Sequence, residues 1–265
     1  MSKNVANEPS VGLFATCLVD LIRPSVGFAT AKLIKNTGCN VTVPIKQTCC
    51  GQPAYNSGDN VGAKAIARKV ILAFKNFEYI VVPSGSCASM ISNHYATLFK
   101  EDAEWLCHAK DLAKKTFELT NFLADIQNAK DFSAGYDGVV TYHDSCSSLR
   151  ELQIKDQPRK LLKKIKGIAL NEGTESETCC GFGGLFCVKY PEISSHIADA
   201  KISDILSTKA DTLLANDLGC LINISGKLKR RGSLIKVRHI AEVLANMTDV
   251  PPIGDGLMEK KASCK

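Results

Sequence analysis

Thr48-Cys49-Cys50-Gly51 returns as Thr178-Cys179-Cys180-Gly181, 130 residues further along a chain of 265. The flanking cysteines repeat with it: Cys17 and Cys87 bracket the first pair, Cys146 and Cys220 the second, at offsets of 129 and 133 residues. Packing alone has no need of a duplicated Cys-Cys-Gly, so the eight cysteines mark an internal duplication. A repeat of this length is too long for a solenoid unit and fits two similar domains. The sequence places them at 1–132 and 133–265, with the boundary in the stretch 131–137.

Working outward, apolar runs and helical periodicities alternate in the same order in both halves. Val11–Thr16 is expected as a buried strand leading to Cys17, Ser25–Lys35 as a helix after Pro24, and Cys39–Ile45 as a strand leading to Cys49 and Cys50. Gly62–Phe77 carries apolar residues at helical spacing, and Tyr79–Pro83 leads to Cys87. In the second half Gly138–Tyr142, Gly167–Leu170 and Thr212–Ala215 are the strand expectations, with helices at Pro158–Ile165 and Glu192–Leu206. The fold class is therefore α/β: two similar domains, each a small parallel sheet with flanking helices. Right-handed crossovers put all strand carboxyl ends on one edge, so cysteines distant in sequence converge there.

Composition narrows the chemistry. With 45% hydrophobic and 23% charged residues the chain reads as a folded globular protein. A net charge of +6 without clustered arginines and interleaved aromatics gives no nucleic-acid footprint. Met1–Ser10 lacks the apolar run of a secretory signal, and no segment reaches the eighteen apolar residues of a spanning helix, so no membrane span and a cytoplasmic location are expected. In a reducing compartment twelve cysteines point to metal or redox chemistry rather than a disulfide framework.

Four thiolates per half, Cys17, Cys49, Cys50 and Cys87, then Cys146, Cys179, Cys180 and Cys220, suit an iron–sulfur cluster or tetrahedral zinc. Neither set contains the C-x2-C pair usual in structural zinc sites. Adjacent cysteines reach a wide multi-iron cluster more easily than one small ion, and the glycine after them lets the backbone approach it. This favours iron–sulfur. The chain lacks both a G-x-G-x-x-G after a strand and the ferredoxin cysteine run, so it shows no nicotinamide or flavin fingerprint and no ferredoxin domain of its own.

Five segments carry a family resemblance: Thr16-Cys17-Leu18-Val19-Asp20, Gln47-Thr48-Cys49-Cys50-Gly51-Gln52-Pro53, Pro83-Ser84-Gly85-Ser86-Cys87, Tyr142-His143-Asp144-Ser145-Cys146 and Cys179-Cys180-Gly181-Phe182-Gly183-Gly184. Each half resembles the cysteine-rich CCG domain family, found in subunits of heterodisulfide reductase, glycolate oxidase and bacterial lactate-oxidation systems. The match is best to the last of these and runs from about Gly12 to Leu244. The resemblance implies an iron–sulfur redox subunit of a complex that oxidises L-lactate to pyruvate, its partners including a ferredoxin-type iron–sulfur protein. The general motif ends in C-x-x-C, whereas Ser84 and Asp217 stand at the first of those positions here. Four thiolates rather than five favour one 4Fe-4S cubane per half over the non-cubane clusters of some relatives, and zinc in one half stays open. Alternatives are an electron-transfer subunit for glycolate, glycerol 3-phosphate or a thiol disulfide, and a zinc-stabilised assembly scaffold.

Other residues have plainer readings. Cys39, Cys107, Cys187 and Cys264 are expected as small buried hydrophobes, with Cys187 near enough to the second motif to add a thiolate. His143 and Asp144 either tune the second centre or cap the following helix, the cap being favoured for Asp144. Ser84 and Asp217 are expected to make loop hydrogen bonds rather than bind iron. The basic runs Arg159–Lys166 and Lys227–Arg231 are expected as solvated helix faces, and the tail from Asp249 to Lys265 as flexible.

Overall fold

A computed structural model describes residues 8–130, 132 and 134–255. The first half builds a parallel sheet from β1 (Ser10–Leu13), β2 (Asn40–Thr42), β3 (Tyr79–Val82) and β4 (Thr116–Glu118), in the order β2-β1-β3-β4. The second half repeats it with β5 (Gly135–Tyr142), β6 (Lys166–Leu170), β7 (Thr212–Ala215) and β8 (Lys236–His239), in the order β6-β5-β7-β8. The central strands are continuous apolar runs because helices cover them on both faces. Val11, Leu13, Val81, Val82, Leu213 and Leu214 are all buried.

Registers agree between the halves. Val11 lies opposite Tyr79 and Ile80 opposite Thr116; Val140 lies opposite Thr212, and Thr212 opposite Lys236. The expected helices are present at Pro24–Asn36, Asn60–Phe74, Asp156–Leu162 and Pro191–Ser207, two of them opened by a proline at a position that needs no N–H. The sequence reading omitted β4 and β8. Both are short, and Glu118, Lys236, Arg238 and His239 hide the apolar signal that marks the inner strands.

The halves share one hydrophobic core, in which Val11, Leu33 and Phe122 belong to the same cluster as Val140, Leu214 and Leu244. Polar contacts lock the join. Glu242, fully buried, accepts from Arg23 Nε at 2.8 Å and from Ser25 Oγ at 2.6 Å. Asp217 Oδ2 accepts from the Ser84 hydroxyl and the Ser86 N–H, each at 3.0 Å. The expected boundary stretch opens on residues 131 and 133, which lie outside the described set; Ala134 is buried in the shared core. Of the tail, Asp249–Asp255 is described and Ile253 is buried, its carbonyl accepting from Ser225 Oγ at 2.6 Å; residues 256–265 lie outside the described set.

Glu118 closes β4 and is buried against the join. One carboxylate oxygen accepts from the Thr120 N–H at 2.7 Å and from the Asn121 N–H at 3.2 Å. Burial outweighs these bonds and pushes its pKa up to about 7. The folded state therefore holds a proton that the unfolded chain releases above about pH 4.5, so this residue's contribution to stability falls as pH rises from about 4.5 to about 7 and is level above. A shift of this size corresponds to about 3 kcal/mol. Glu118→Gln is expected to abolish that slope, measured as urea unfolding free energy across pH 5 to 8; an unchanged slope would show that Glu118 is not its source.

Candidate metal centre

All eight repeated cysteines lie beyond the carboxyl ends of strands. Cys17 starts the helix Cys17–Ile22 after β1, Cys49 and Cys50 sit in the loop after β2, and Cys87 lies in the helix Gly85–Ser89 after β3. The second half places Cys146 after β5, Cys179 and Cys180 after β6, and Cys220 in the helix Leu218–Arg230 after β7. The described cysteines are free thiols.

The structure brings the first quartet together. Cys17 Sγ lies 3.9 Å from Cys49 Sγ, and Cys50 Sγ lies 3.3 Å from Cys87 Sγ. In the second half Cys180 Sγ, Cys220 Sγ and a ring nitrogen of His143 lie within 4.8 Å of one another, and Cys146 and Cys179 line the same cleft as Cys180 and Cys220. The backbone contributes directly: the N–H of Gly51 points at Cys49 Sγ at 3.4 Å, and that of Gly181 at Cys179 Sγ at 3.3 Å. Both glycines hold positive φ, 85° and 84°, which a side chain would resist.

Electrostatics repeat as well. Hydrogen bonds from Cys17 and Cys50 hold the Cys49 thiol down to about 2, while the matching bonds and burial push Cys17 and Cys50 up. Cys179 is likewise held at about 2 by Cys146 and Cys180, which are themselves raised. In each half one thiol is thus held low between two that are raised. Further deprotonation requires positive charge within the quartet, which a metal ion supplies.

Residues beyond the motifs fix the loops. Tyr95 donates its buried hydroxyl to the Cys50 carbonyl at 2.8 Å, and Asn223 donates to the Cys180 carbonyl at the same distance. Gln47 accepts from the Ala15 N–H at 2.9 Å, tying the end of β1 to the Cys-Cys-Gly loop. Lys201, fully buried, donates to the carbonyls of Glu175 at 2.8 Å and Ser176 at 2.9 Å, just before Cys179. The sequence reading missed Tyr95, Asn223 and Lys201, because a tether to a backbone carbonyl leaves no motif. Only Gln47, inside a quoted segment, was within reach.

Several side-residue expectations change. Asp144 is not a helix cap; it is buried and receives a forked pair of bonds from Arg159, at 2.9 and 2.7 Å. Arg159 is correspondingly not on a solvated face, because it also bridges to Glu172 with Nε 3.0 Å away. In the other basic run, Lys227 pairs with Asp199 at 2.9 Å and Lys229 with Asp255 at 2.8 Å, pinning neighbouring segments. Cys39 is buried as expected, whereas Cys107 is exposed beside Asp111 and Cys187, half-buried, turns its sulfur to the Gly184 carbonyl at 3.4 Å. Cys264 lies outside the described residues. Ser84 and Asp217 make the loop hydrogen bonds expected of them, to Cys87 N and Gly219 N.

The two quartets face different openings. A groove of about 380 Å³ beside the first is lined by Cys17, Cys49, Asp20, Val43 and Ile45. A cleft of about 310 Å³ between the halves reaches the second, with Gln52, Asn56 and His94 on one wall and Cys146, Cys179 and Glu151 on the other. Among the described residues no helix is long and apolar enough to cross a membrane.

A model of the cysteine-rich domain named CCG matches this chain twice, at residues 11–92 and 140–225. The chain belongs to the CCG cysteine-rich family. The two CCG matches enclose the two quartets. Relatives match along most of the chain: a protein named lactate utilization protein A from Geobacillus sp. (strain WCH70) is 49% identical over 234 residues, covering 88% of this chain and 98% of the relative. The protein of the same name from Oceanobacillus iheyensis is 47% identical, covering 88% and 96%. Among solved structures, a hypothetical protein from Helicobacter pylori superposes with a TM-score of 0.67 at 12% identity, over 92% of this chain and 50% of the other. That likeness concerns the fold alone. Clustered cysteines in a duplicated CCG chain suggest metal binding.

Proposed function

We propose that this CCG protein is an iron–sulfur subunit of a bacterial system that oxidises L-lactate to pyruvate. One observation carries the reading: two converging thiol quartets occur in a chain 49% identical, almost end to end, to a protein named for lactate utilization. In this reading Cys17, Cys49, Cys50 and Cys87 hold one 4Fe-4S cluster, and Cys146, Cys179, Cys180 and Cys220 hold the second, in domains divided at 132/133. The clusters supply one-electron transfer. The chain supplies the thiolates, the Gly51 and Gly181 N–H groups that stabilise charge on sulfur, and the low-dielectric walls that shield it. Lactate chemistry and the remaining cofactors belong to partner subunits, including a ferredoxin-type protein, all in the cytoplasm.

A second reading, zinc in one half, is favoured by the sulfur spacing. Tetrahedral zinc with bonds of about 2.3 Å sets its sulfurs about 3.8 Å apart, and the first quartet shows 3.3 and 3.9 Å. Anaerobic purification with iron, zinc and acid-labile sulfide analysis, followed by paramagnetic resonance of the reduced protein, separates the two. The proposal expects iron and sulfide at both sites and loss of growth on lactate when the gene is deleted. Stoichiometric zinc with no redox signal would make the protein a scaffold instead, and unimpaired growth on lactate would point to another electron donor.

A further inference from the structure

The duplication is broken at one position that faces the second quartet. Three residues before Cys146 stands His143; three residues before Cys17, at the same place in the repeat, stands Phe14. The two occupy equivalent backbone sites, since the N–H of Phe14 donates to the Val81 carbonyl and that of His143 to the Leu214 carbonyl, both at 2.9 Å. Both side chains are fully buried. Phe14 packs against Phe74 in an apolar cluster, where an aromatic ring needs nothing more.

His143 is different. Neither Nδ1 nor Nε2 has a hydrogen-bond partner among the described residues. A buried polar group left in this state is rare, because it gives up water without a replacement. One ring nitrogen lies within 4.8 Å of the sulfurs of both Cys180 and Cys220, and those sulfurs lie equally close to each other. A neutral imidazole nitrogen is a good ligand for iron and for zinc alike, so one metal atom seated among these three donors would satisfy the orphaned nitrogen.

We propose that His143 binds the metal centre of the second half directly through a ring nitrogen, in place of one of the four thiolates assigned to that centre above, so that the protein carries one all-sulfur centre and one mixed sulfur–nitrogen centre. This rests on the reading that the second quartet holds metal. A neutral nitrogen donor adds no negative charge to the centre. Exchange of thiolate for imidazole raises the potential of iron–sulfur centres, and the same sense is expected here: the second centre is the easier of the two to reduce. The two halves would then differ in role although they share one fold, and the difference lies in a single side chain.

The experiment uses the full-length protein purified with its metal. Histidines are labelled with nitrogen-15, and the reduced iron-loaded protein is studied by pulsed paramagnetic resonance; zinc-edge X-ray absorption is recorded on the same preparation. The expected result is a strongly coupled nitrogen on one of two iron centres, or a nitrogen scatterer near 2.0–2.1 Å if zinc fills the site. His143→Phe, which installs the residue of the first half, is expected to lose that nitrogen signal and to lower the potential of one centre only. Sulfur-only coordination at both sites in the unmutated protein overturns the proposal whatever the variant does. A Cys180→Ser/Cys220→Ser double variant with unchanged metal content would instead show that the second quartet holds none, overturning the parent reading and this one with it.

Discussion

Gly181→Ala is expected to strip metal from the second half while leaving the first half loaded. Gly181 sits at φ 84°, and a Cβ there would lie 2.5 Å from the backbone oxygen of Ser194. The loop cannot lean away, because the Ser194 hydroxyl donates to the Gly181 carbonyl at 2.7 Å. Left-handed strain of about 1–3 kcal/mol and overpacking of about 1–3 kcal/mol fall on the residue next to Cys180. Gly51 has nearly the same φ, but its Cβ would meet the Ile66 side chain at 3.3 Å and the Ala63 carbonyl at an ordinary 3.7 Å, so Gly51→Ala is expected to show chiefly the backbone strain. Metal content per chain and thermal unfolding of the two variants check this pair. Equal losses would mean that the clash with Ser194 is relieved by some movement of the helix Pro191–Ser207.

Arg159→Met is expected to destabilise the second half by about 3–5 kcal/mol. The guanidinium is the partner of Asp144, whose side chain is 1% exposed, and it also stacks over Tyr142 at 5.4 Å from the ring centroid. Removing it leaves a carboxylate stranded in a low dielectric between His143 and Cys146. The cost comes from that uncompensated charge rather than from the lost pair, so adding Asp144→Asn to Arg159→Met is expected to recover much of it. A double-mutant cycle by denaturant unfolding reads the coupling. Independent, additive effects of the two substitutions would contradict this assignment.

The fold and the convergence of the quartets were legible because both depend on patterns that repeat. The inner strands are apolar runs, and Cys17, Cys49, Cys50 and Cys87 recur at nearly constant offsets. What stayed hidden depends on pairing across long sequence separations. Arg159 is in a run of lysines and looks solvated until Asp144 and Glu172 are brought to it by β5 and the loop after β6. Tyr95 and Asn223 do one job in the two halves with unlike side chains, so the repeat itself conceals them. His143 was visible beside Cys146, but its orphaned nitrogens were not, since only the folded core shows that nothing else is there to bond them. The strands β4 and β8 were lost because the buried residues that end them, Glu118 and His239, are titratable.

Ser84 and Asp217 occupy the same place in the repeat, 133 residues apart, and they are also each other's partners at the join. Like-with-like pairing would lose this contact in either present half. Two second halves in a homodimer would press Asp217 against its own copy, two carboxylates with no donor between them where the single one is 4% exposed. Two first halves would offer a pair of hydroxyls and no anion for the Ser86 N–H. A single chain that carries both halves supplies one of each, the hydroxyl of Ser84 and the carboxylate of Asp217.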